Sequence, residues 1–317
     1  MKLDNQKCGN TTELCTKATS QPECTASGKL GPRFPRLNPR ASRVVTAIPR
    51  EALLLAVAVI YLLPLWWVAA SSLRPAGSLY QYAIPVSWRT FFPGELTIAN
   101  FANIFSRLDF GQAMSNTFLV SAVTVALGLV VNSMAGFALA RFDFPCKRLV
   151  FVIILITFIA PFDAIVIPLH QVVSDLGLIN TRAALILPAV GNGLAIFLFK
   201  QSFEGIPSEL LEAARTDGAS WWRIFWQIVM PMSLPALSTA AVMMFLFQWN
   251  SLFWPLIAAF SSKYRMVQVA VATQIAADQT HWANLFASAV MGSLPPIILF
   301  LLLQKRYLKG IAGMQRE

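Results

Sequence analysis

The residues best suited to specific recognition lie in one loop, at positions 204–231, between two long apolar blocks. Pro207 suits the first turn of a helix, and Glu209 would lie near the positive end of its dipole. Leu211 gives the predicted helix an apolar side, and Gly218 is placed to end it in the left-handed conformation. A short amphipathic helix with small residues can fit a groove of another protein, so the chemistry predicted here is docking.

A charged side chain, Asp163, interrupts the apolar block 149–173. A carboxylate at the centre of a membrane helix costs about 2.5–3.5 kcal/mol, so its presence needs a functional or structural reason. Asp163 could line a path for a polar solute, or it could satisfy backbone groups left open by Pro161 and Pro168. His170, near the end of the same block, is predicted to be a polar residue at the membrane interface.

A second polar group, Gln248, Trp249 and Asn250, lies inside the fifth apolar block. An amide and an indole can offer hydrogen bonds and a stacking surface to a sugar. The same residue types also join helices to each other, because amides bond across helices and tryptophan favours the membrane interface. Both interpretations stay open, and all three residues are candidates for a substrate path.

Nucleotide chemistry is not encoded in this chain, because no Gly-x-x-x-x-Gly-Lys-Ser/Thr sequence occurs. This chain is therefore not expected to bind the phosphates of ATP itself, and neither a cofactor nor a metal is expected on it. The spacings of Cys8, Cys15 and Cys24 match no short-spaced zinc site. Two distant histidines, without His-Glu-x-x-His or Gly-x-Ser-x-Gly, argue against an enzyme.

The segments that carry these residues have the composition of a membrane protein. Of 317 residues, 56% are hydrophobic and only 13% are charged, whereas a soluble domain averages about 25% charged residues. The mean hydropathy of +0.59 points the same way and excludes a water-soluble globule. The net charge of +10 comes from Lys and Arg scattered between apolar blocks, as topology signals are. Membrane lipid is the expected environment, and nucleic acid is not an expected partner.

Six apolar blocks are long enough to cross a bilayer core of about 30 Å as helices. None alternates with the two-residue period of a barrel strand, so the predicted fold class is an all-α integral membrane protein with a six-span helical bundle. The fifth block contains several prolines, and we predict one span there, followed by an interfacial or re-entrant apolar segment. The spans are predicted at about 52–73, 113–140, 149–173, 183–199, 234–256 and 283–303.

The distribution of basic residues predicts that both termini are cytoplasmic. Most of the 25 Lys and Arg fall in the N-terminal tail, in the loops 141–148 and 200–223, and after Gln304. The polar stretch 1–50 has no apolar run and is predicted to be a disordered tail before a membrane domain at 51–313. The opposite side of the membrane holds only Arg74, Arg89, Arg107, Arg182, Lys263 and Arg265.

Several motifs resemble the permease subunits of binding-protein-dependent ABC importers, over about residues 52–313. The loop at 204–231 is similar to their EAA loop in Glu212-Ala213-Ala214, Asp217-Gly218, Ile228 and Pro231. Other segments look like carbohydrate permeases of the maltose and glycerol-phosphate type, namely Ala138-Leu139-Ala140-Arg141, Ile167-Pro168-Leu169, Trp249-Asn250 and Gln304-Lys305-Arg306-Tyr307. Met230 departs from the family's usual leucine, and no family role carries over to Asp163.

The resemblance implies an importer of the type I permease kind in the cell inner membrane. The EAA loop would form a coupling helix docked on an ABC ATPase dimer, which would bind ATP and Mg²⁺. That rigid helix, connected through Ile224 to Pro231 into the fifth span, would act as a lever. The partners would be a second permease subunit and an extracytoplasmic solute-binding protein that delivers a sugar or related polar solute. The ATPase-coupling residues that it implies are Glu212, Ala213, Ala214, Asp217, Gly218, Ile228 and Pro231.

The alternative is a proton-coupled secondary transporter in which Asp163 and His170 form the proton pathway. Such a carrier has no need of a docking helix on the cytoplasmic side. The loop at 204–231 therefore favours the importer.

Overall fold

The computed structural model describes residues 39–75, 77–79, 88–275 and 281–314, and the side chains of this part of the chain from residue 51 to residue 302. Cys8, Cys15, Cys24 and residues 1–38 of the predicted tail lie outside the described residues. The chain divides into two units, Met1–Val57 and Ala58–Glu317. The first is described only through the start of the first helix, which begins at Pro39, and the features below belong to the second.

Helices make up nearly all of the described ranges, and no strand occurs in them. A single π-helical turn, Phe225–Val229, and a 3-10 turn, Ser262–Tyr264, interrupt the α-helices. The α-helices are α1 Pro39–Ser72, α2 Trp88–Phe91, α3 Ala99–Arg107, α4 Phe110–Arg141, α5 Lys147–Ile159, α6 Phe162–Asp175, α7 Arg182–Val190, α8 Gly193–Glu204, α9 Ser208–Thr216, α10 Trp221–Ile224, α11 Met230–Met232, α12 Leu234–Trp249, α13 Phe253–Ala258, α14 Val267–Ile275 and α15 Trp282–Met314.

Three helical segments are long and apolar enough to cross a membrane alone: Glu51–Ser72 in α1, Phe110–Arg141, which is α4, and Trp282–Leu302 in α15. Three pairs of helices reach the required length and composition only together. The bends within them are 103° between α5 and α6, 40° between α7 and α8, and 80° between the segment Trp221–Met232 and α12. Each predicted block overlaps one straight helix or one bent pair, but the pair at the fifth block begins at Trp221 and ends at Trp249.

The third block is not the continuous helix that the sequence predicts over 149–173. Helix α5 ends at Ile159 and α6 begins at Phe162, with Ala160 in an extended conformation at ψ 130° between them. Pro161 explains the break, because proline disfavours the helical conformation in the residue before it. Asp163 therefore lies in the first turn of α6, where a carboxylate interacts favourably with the positive end of the helix dipole.

The fourth block breaks at Gly191, and a buried amide stabilises the break. Asn132 on α4 is fully buried, and its Nδ2 donates to the carbonyl of Val190 at 2.8 Å. Its Oδ1 accepts from the backbone N–H of Asn192 at 2.9 Å. Asn192 in turn caps α8 by accepting from the N–H of Ala195 at 2.9 Å. These hydrogen bonds replace some of the backbone hydrogen bonds that the helix loses at the break.

The fifth block also differs from the prediction of one span over 234–256. Helix α12 ends at Trp249, and the separate short helix α13 covers Phe253–Ala258. The indole N–H of Trp254 on α13 donates to the carbonyl of Ala184 on α7 at 2.9 Å. The last residues of the predicted fifth span thus belong to α13, which packs against the fourth span.

Helix α4 runs unbroken through the centre of the second unit. Close approach of α8 requires Gly136, because a Cβ there would lie 2.7 Å from the Cβ of Phe199. A Cβ on Gly128 would lie 2.1 Å from the terminal methyl of Met244 on α12. Small residues allow helices in lipid to pack this closely. Helix α4 is therefore in van der Waals contact with both the fourth and the fifth spans.

Candidate functional site

The predicted docking helix exists as α9, Ser208–Thr216, directly after Pro207. Leu211 points inward and is only 4% exposed, whereas Glu212 and Ala213 are exposed. Ala214 is half-buried and packs against the same core as Leu211. One side of α9 is therefore anchored on the protein, and the side that carries Glu212 is open to a partner.

A tight turn ends α9 at Gly218. The residue has φ +83°, which confirms the left-handed conformation predicted for it, and a Cβ added there would have no atom within 4 Å. The N–H of Ala219 donates to the carbonyl of Ala214 at 3.0 Å, and the N–H of Gly218 donates to that of Arg215 at 3.0 Å. Backbone conformation, not space, is thus what favours glycine here. Asp217, the residue before it, is exposed.

The hydrophobic core that contains Leu211 and Ala214 also contains several aromatic rings. We call the group of rings near α9 the aromatic seat: Phe137, Phe142, Phe203, Trp221 and Phe225. Ring centroids are 5.1 Å apart for Phe142 and Trp221 and 5.2 Å apart for Phe137 and Phe225. Phe137 also meets Phe203 edge-on at 6.2 Å. These rings come from α4, α8 and the segment after α9, so the seat joins three parts of the bundle beneath one helix.

The connection from α9 to the fifth span is irregular. After α10, the chain forms the π turn Phe225–Val229, in which the N–H of Met230 donates to the carbonyl of Phe225. Ile228 is half-buried against the core, and Pro231 is exposed in the three-residue helix α11. The sequence predicts that a rigid cytoplasmic helix acts as a lever through this stretch. In the structure the stretch contains a π turn and is followed by an 80° bend.

A cavity of about 540 Å³ lies farther along the bundle, between the second, third, fourth and fifth spans. Gln248 lines it, is 5% exposed and donates from Nε2 to the carbonyl of Leu185 at 3.3 Å. The cavity combines aromatic rings with a few polar groups, as ligand sites usually do. Its lining residues include Thr124, Phe162, Asn192, Phe247, Gln248, Ser251, Phe253 and Trp254.

The other three residues predicted for the substrate path, Trp249, Asn250 and Asp163, do not line this cavity. Trp249 is 1% exposed, and its indole N–H donates to the carbonyl of Gly292 at 2.9 Å, which joins α12 to α15. Asn250 donates to the carbonyl of Leu246 at 2.9 Å and does not line the cavity. Asp163 is exposed and does not line it either, although its neighbour Phe162 does.

Sequence inspection missed Thr124, Asn192 and Ser251 as polar residues of the cavity. Thr124 is buried, and among the described residues its hydroxyl has no hydrogen-bond partner. It lies four and eight positions before Gly128 and Asn132, so the three share one face of α4. That spacing was a usable signal. Asn192 and Ser251 lie in breaks between helices, which the apolar pattern does not locate.

The described part of the chain thus combines a bundle of bent helices, an exposed amphipathic helix and a separate cavity with polar groups in its wall. Residues 132–312 match the family described as binding-protein-dependent transport system inner membrane components. The chain belongs to this family, and it is a permease subunit of an ABC importer. The family match also supports this function over the proton-coupled carrier, the alternative based on Asp163 and His170.

Individual relatives extend the match over most of the chain. The arabinooligosaccharides transport system permease protein AraQ of Halalkalibacterium halodurans is 34% identical, over 80% of this chain and 91% of its own. The sn-glycerol-3-phosphate transport system permease protein UgpE of Escherichia coli O157:H7 is 31% identical, over 86% and 98%. A crystal structure of a bacterial ABC transporter involved in alginate import superposes with a TM-score of 0.72 at 23% identity, over 87% and 99%. The predicted fold class is confirmed.

Proposed function

We propose that this chain forms half of a membrane pathway for a sugar or related polar solute, and that a separate ATPase dimer drives the pathway through α9. The observation that carries the proposal is the geometry of α9. Leu211 fixes the helix to the bundle, while the face with Glu212 is left free. A second permease subunit would form the other half, and ATP and Mg²⁺ would be bound by the ATPase.

The exposed face of α9 is acidic, so we expect the surface of the ATPase that binds it to be basic. Glu209, Glu212 and Asp217 are exposed. The nearby cation Arg215 is turned back, because its Nη1 donates to the carbonyl of Ala219 at 2.8 Å and its guanidinium lies 5.1 Å from the centroid of Trp221. A groove with basic or hydrogen-bond-donating groups on the ATPase would complement this face.

The cavity supports a polar solute as cargo. Phe162, Phe247 and Trp254 give it apolar walls, and Gln248 and Ser251 give it hydrogen-bonding groups. Sugars have apolar faces and hydroxyl edges, so this combination suits them. The sugar and glycerol-phosphate relatives also support this class of cargo. An extracytoplasmic solute-binding protein would deliver it, and both termini would face the cytoplasm.

Reversing one charge on α9 tests the proposal. We expect Glu212→Lys to abolish solute uptake while membrane insertion stays normal, because the new cation would face the basic surface expected on the ATPase. Uptake of radiolabelled sugar by cells and the amount of protein in the membrane fraction are the two measurements. Asp143→Lys makes the same charge change in the neighbouring loop. It breaks only a surface ion pair with Lys147, which contributes little, and it should transport normally. Normal uptake with Glu212→Lys would reject α9 as the docking element.

A further inference from the structure

The covalent route from α9 into the membrane is poorly suited to transmitting a push. It passes through the π turn Phe225–Val229, the exposed Pro231 and the 80° bend before α12. Such breaks absorb displacement by changes of backbone angle. If α9 moves the transport pathway, a second and stiffer contact should exist.

Arg141 provides this contact at the start of the docking segment. It is the last residue of α4, and its Nη2 donates to the carbonyl of Ile206 at 2.5 Å and to the carbonyl of Phe203. Phe203 lies near the end of α8, and Ile206 comes just before Pro207 and α9. Hydrogen bonds from an ionised donor are about twice as strong as neutral ones. One side chain thus ties the end of α4 to the segment that leads into α9.

The other end of α9 is tied to the same turn of α4. Arg215 donates to the carbonyl of Ala219, and its guanidinium covers the ring of Trp221. Trp221 meets Phe142 edge-on at a centroid distance of 5.1 Å and Phe137 at 6.2 Å. The aromatic seat therefore holds the exit of α9, as Arg141 holds its entrance. A displacement of α9 must carry the end of α4 with it.

Helix α4 has the stiffness and the reach that the covalent route lacks. It is a single helix of 32 residues without proline. Thr124, which lines the cavity, precedes Arg141 by seventeen residues, or about 26 Å along the axis. Between them, Gly136 and Asn132 keep α4 against α8 and the break of the fourth span.

We propose that α4, held by Arg141, is the main element through which movement of α9 reaches the cavity, and that Arg141 is the positioning residue of this linkage. The proposal rests on the proposed function of α9. It assigns to Arg141 a role beyond marking the cytoplasmic side. Arg148, an exposed arginine in the first turn of α5, lacks these contacts and serves as the matched control.

The test uses the whole complex in lipid nanodiscs and vesicles, with both permeases, the ATPase dimer and the binding protein. We compare Arg141→Met, Arg141→Lys and Arg148→Met by basal ATP hydrolysis, by hydrolysis with loaded binding protein, and by solute imported per ATP. Arg141→Met keeps the length of the side chain but cannot donate to the two carbonyls. We expect it to assemble, to keep basal hydrolysis and to import roughly tenfold less solute per ATP, which equals a coupling loss of about 1.4 kcal/mol. Arg148→Met should behave as wild type.

Arg141→Lys tests whether the hydrogen bonds of Arg141 matter or only the shape of its side chain. A single nitrogen makes both bonds, so an ammonium can replace it, and we expect import per ATP to return to within about threefold of wild type. Equal losses in the Lys and Met variants would overturn the proposal, as would failure of Arg141→Met to assemble, which would show a purely structural role.

Trp221→Leu removes the tie at the exit of α9 and leaves Arg141 in place. It should also lower the solute imported per ATP, and normal import would overturn the linkage at both ends. Comparison with Glu212→Lys distinguishes failure of the α4 linkage from failure of the docking function. If Glu212→Lys stops transport but Arg141→Met imports normally, the proposed function stands and the role of α4 falls. If Glu212→Lys transports normally, the docking function itself falls.

Discussion

Gln248 and Asn250 show how two amides of one motif acquire different roles. Both are polar residues at the end of α12, but only Gln248 lines the cavity. Asn250 is turned along its own helix to the carbonyl of Leu246, and its Oδ1 accepts from Gln268 at 3.3 Å. Residues two positions apart on a helix do not face the same side, so Asn250 does not share the helical face that Gln248 occupies. Substitutions of Gln248 and Asn250 can therefore be compared to test whether the cavity binds the solute.

We expect Gln248→Leu to raise the solute concentration for half-maximal uptake by about two- to tenfold, because a bound polar solute would lose one hydrogen bond worth about 0.5–1.5 kcal/mol. Asn250→Leu should leave this concentration within experimental error of wild type. Uptake is measured in cells over a range of sugar concentrations. Equal effects of the two substitutions would show that the cavity is not the solute site.

At the scale of elements, the breaks in three spans decide where polar groups meet the pathway. Pro161 ends α5, and the cavity wall at Phe162 begins with the next helix. The break at Gly191 places Asn192 in the cavity wall. Straight helices would have hidden these backbone groups inside their own hydrogen bonds. Irregular backbone is tolerated at such depth where protein covers it or where it lines a cavity.

Asn132 should contribute directly to the stability of the fourth-span break. We expect Asn132→Leu to lower the free energy of unfolding by about 1–3 kcal/mol, because the carbonyl of Val190 and the N–H of Asn192 would lose their partner inside the bundle. Thermal unfolding in detergent measures the effect. Met134→Leu, at an exposed position of the same helix, is the control, and equal stability of the two variants would contradict this role.

Sequence alone predicts much of the fold and of the docking helix. Block length and polarity locate all six helical blocks, and Gly218 correctly marks the end of α9. Prolines signal breaks, but Pro161 bends its span by 103° whereas Pro188 lies inside α7, and local sequence does not distinguish these cases. The cavity was only partly predictable, because which polar side chain faces it depends on how bent helices pack.

At the scale of the whole molecule, the proposed function requires energy to enter the bundle from a partner. Residues 132–312 match importer permeases, and the described part of the chain presents one free acidic helix beneath a continuous central helix. In this account, ATP-driven movement of the partner displaces α9, the aromatic seat and Arg141 pass the displacement to α4, and the cavity changes its access. Transport and nucleotide hydrolysis are then inseparable.

Reconstitution with and without the ATPase tests this claim most directly. The two permease subunits are placed in vesicles with the solute-binding protein and ATP, either with the ATPase dimer or without it, and solute accumulation is measured. The account predicts accumulation against a gradient only when the ATPase and ATP are present, and none when a proton gradient is imposed instead. Accumulation by the permeases without the ATPase would contradict it.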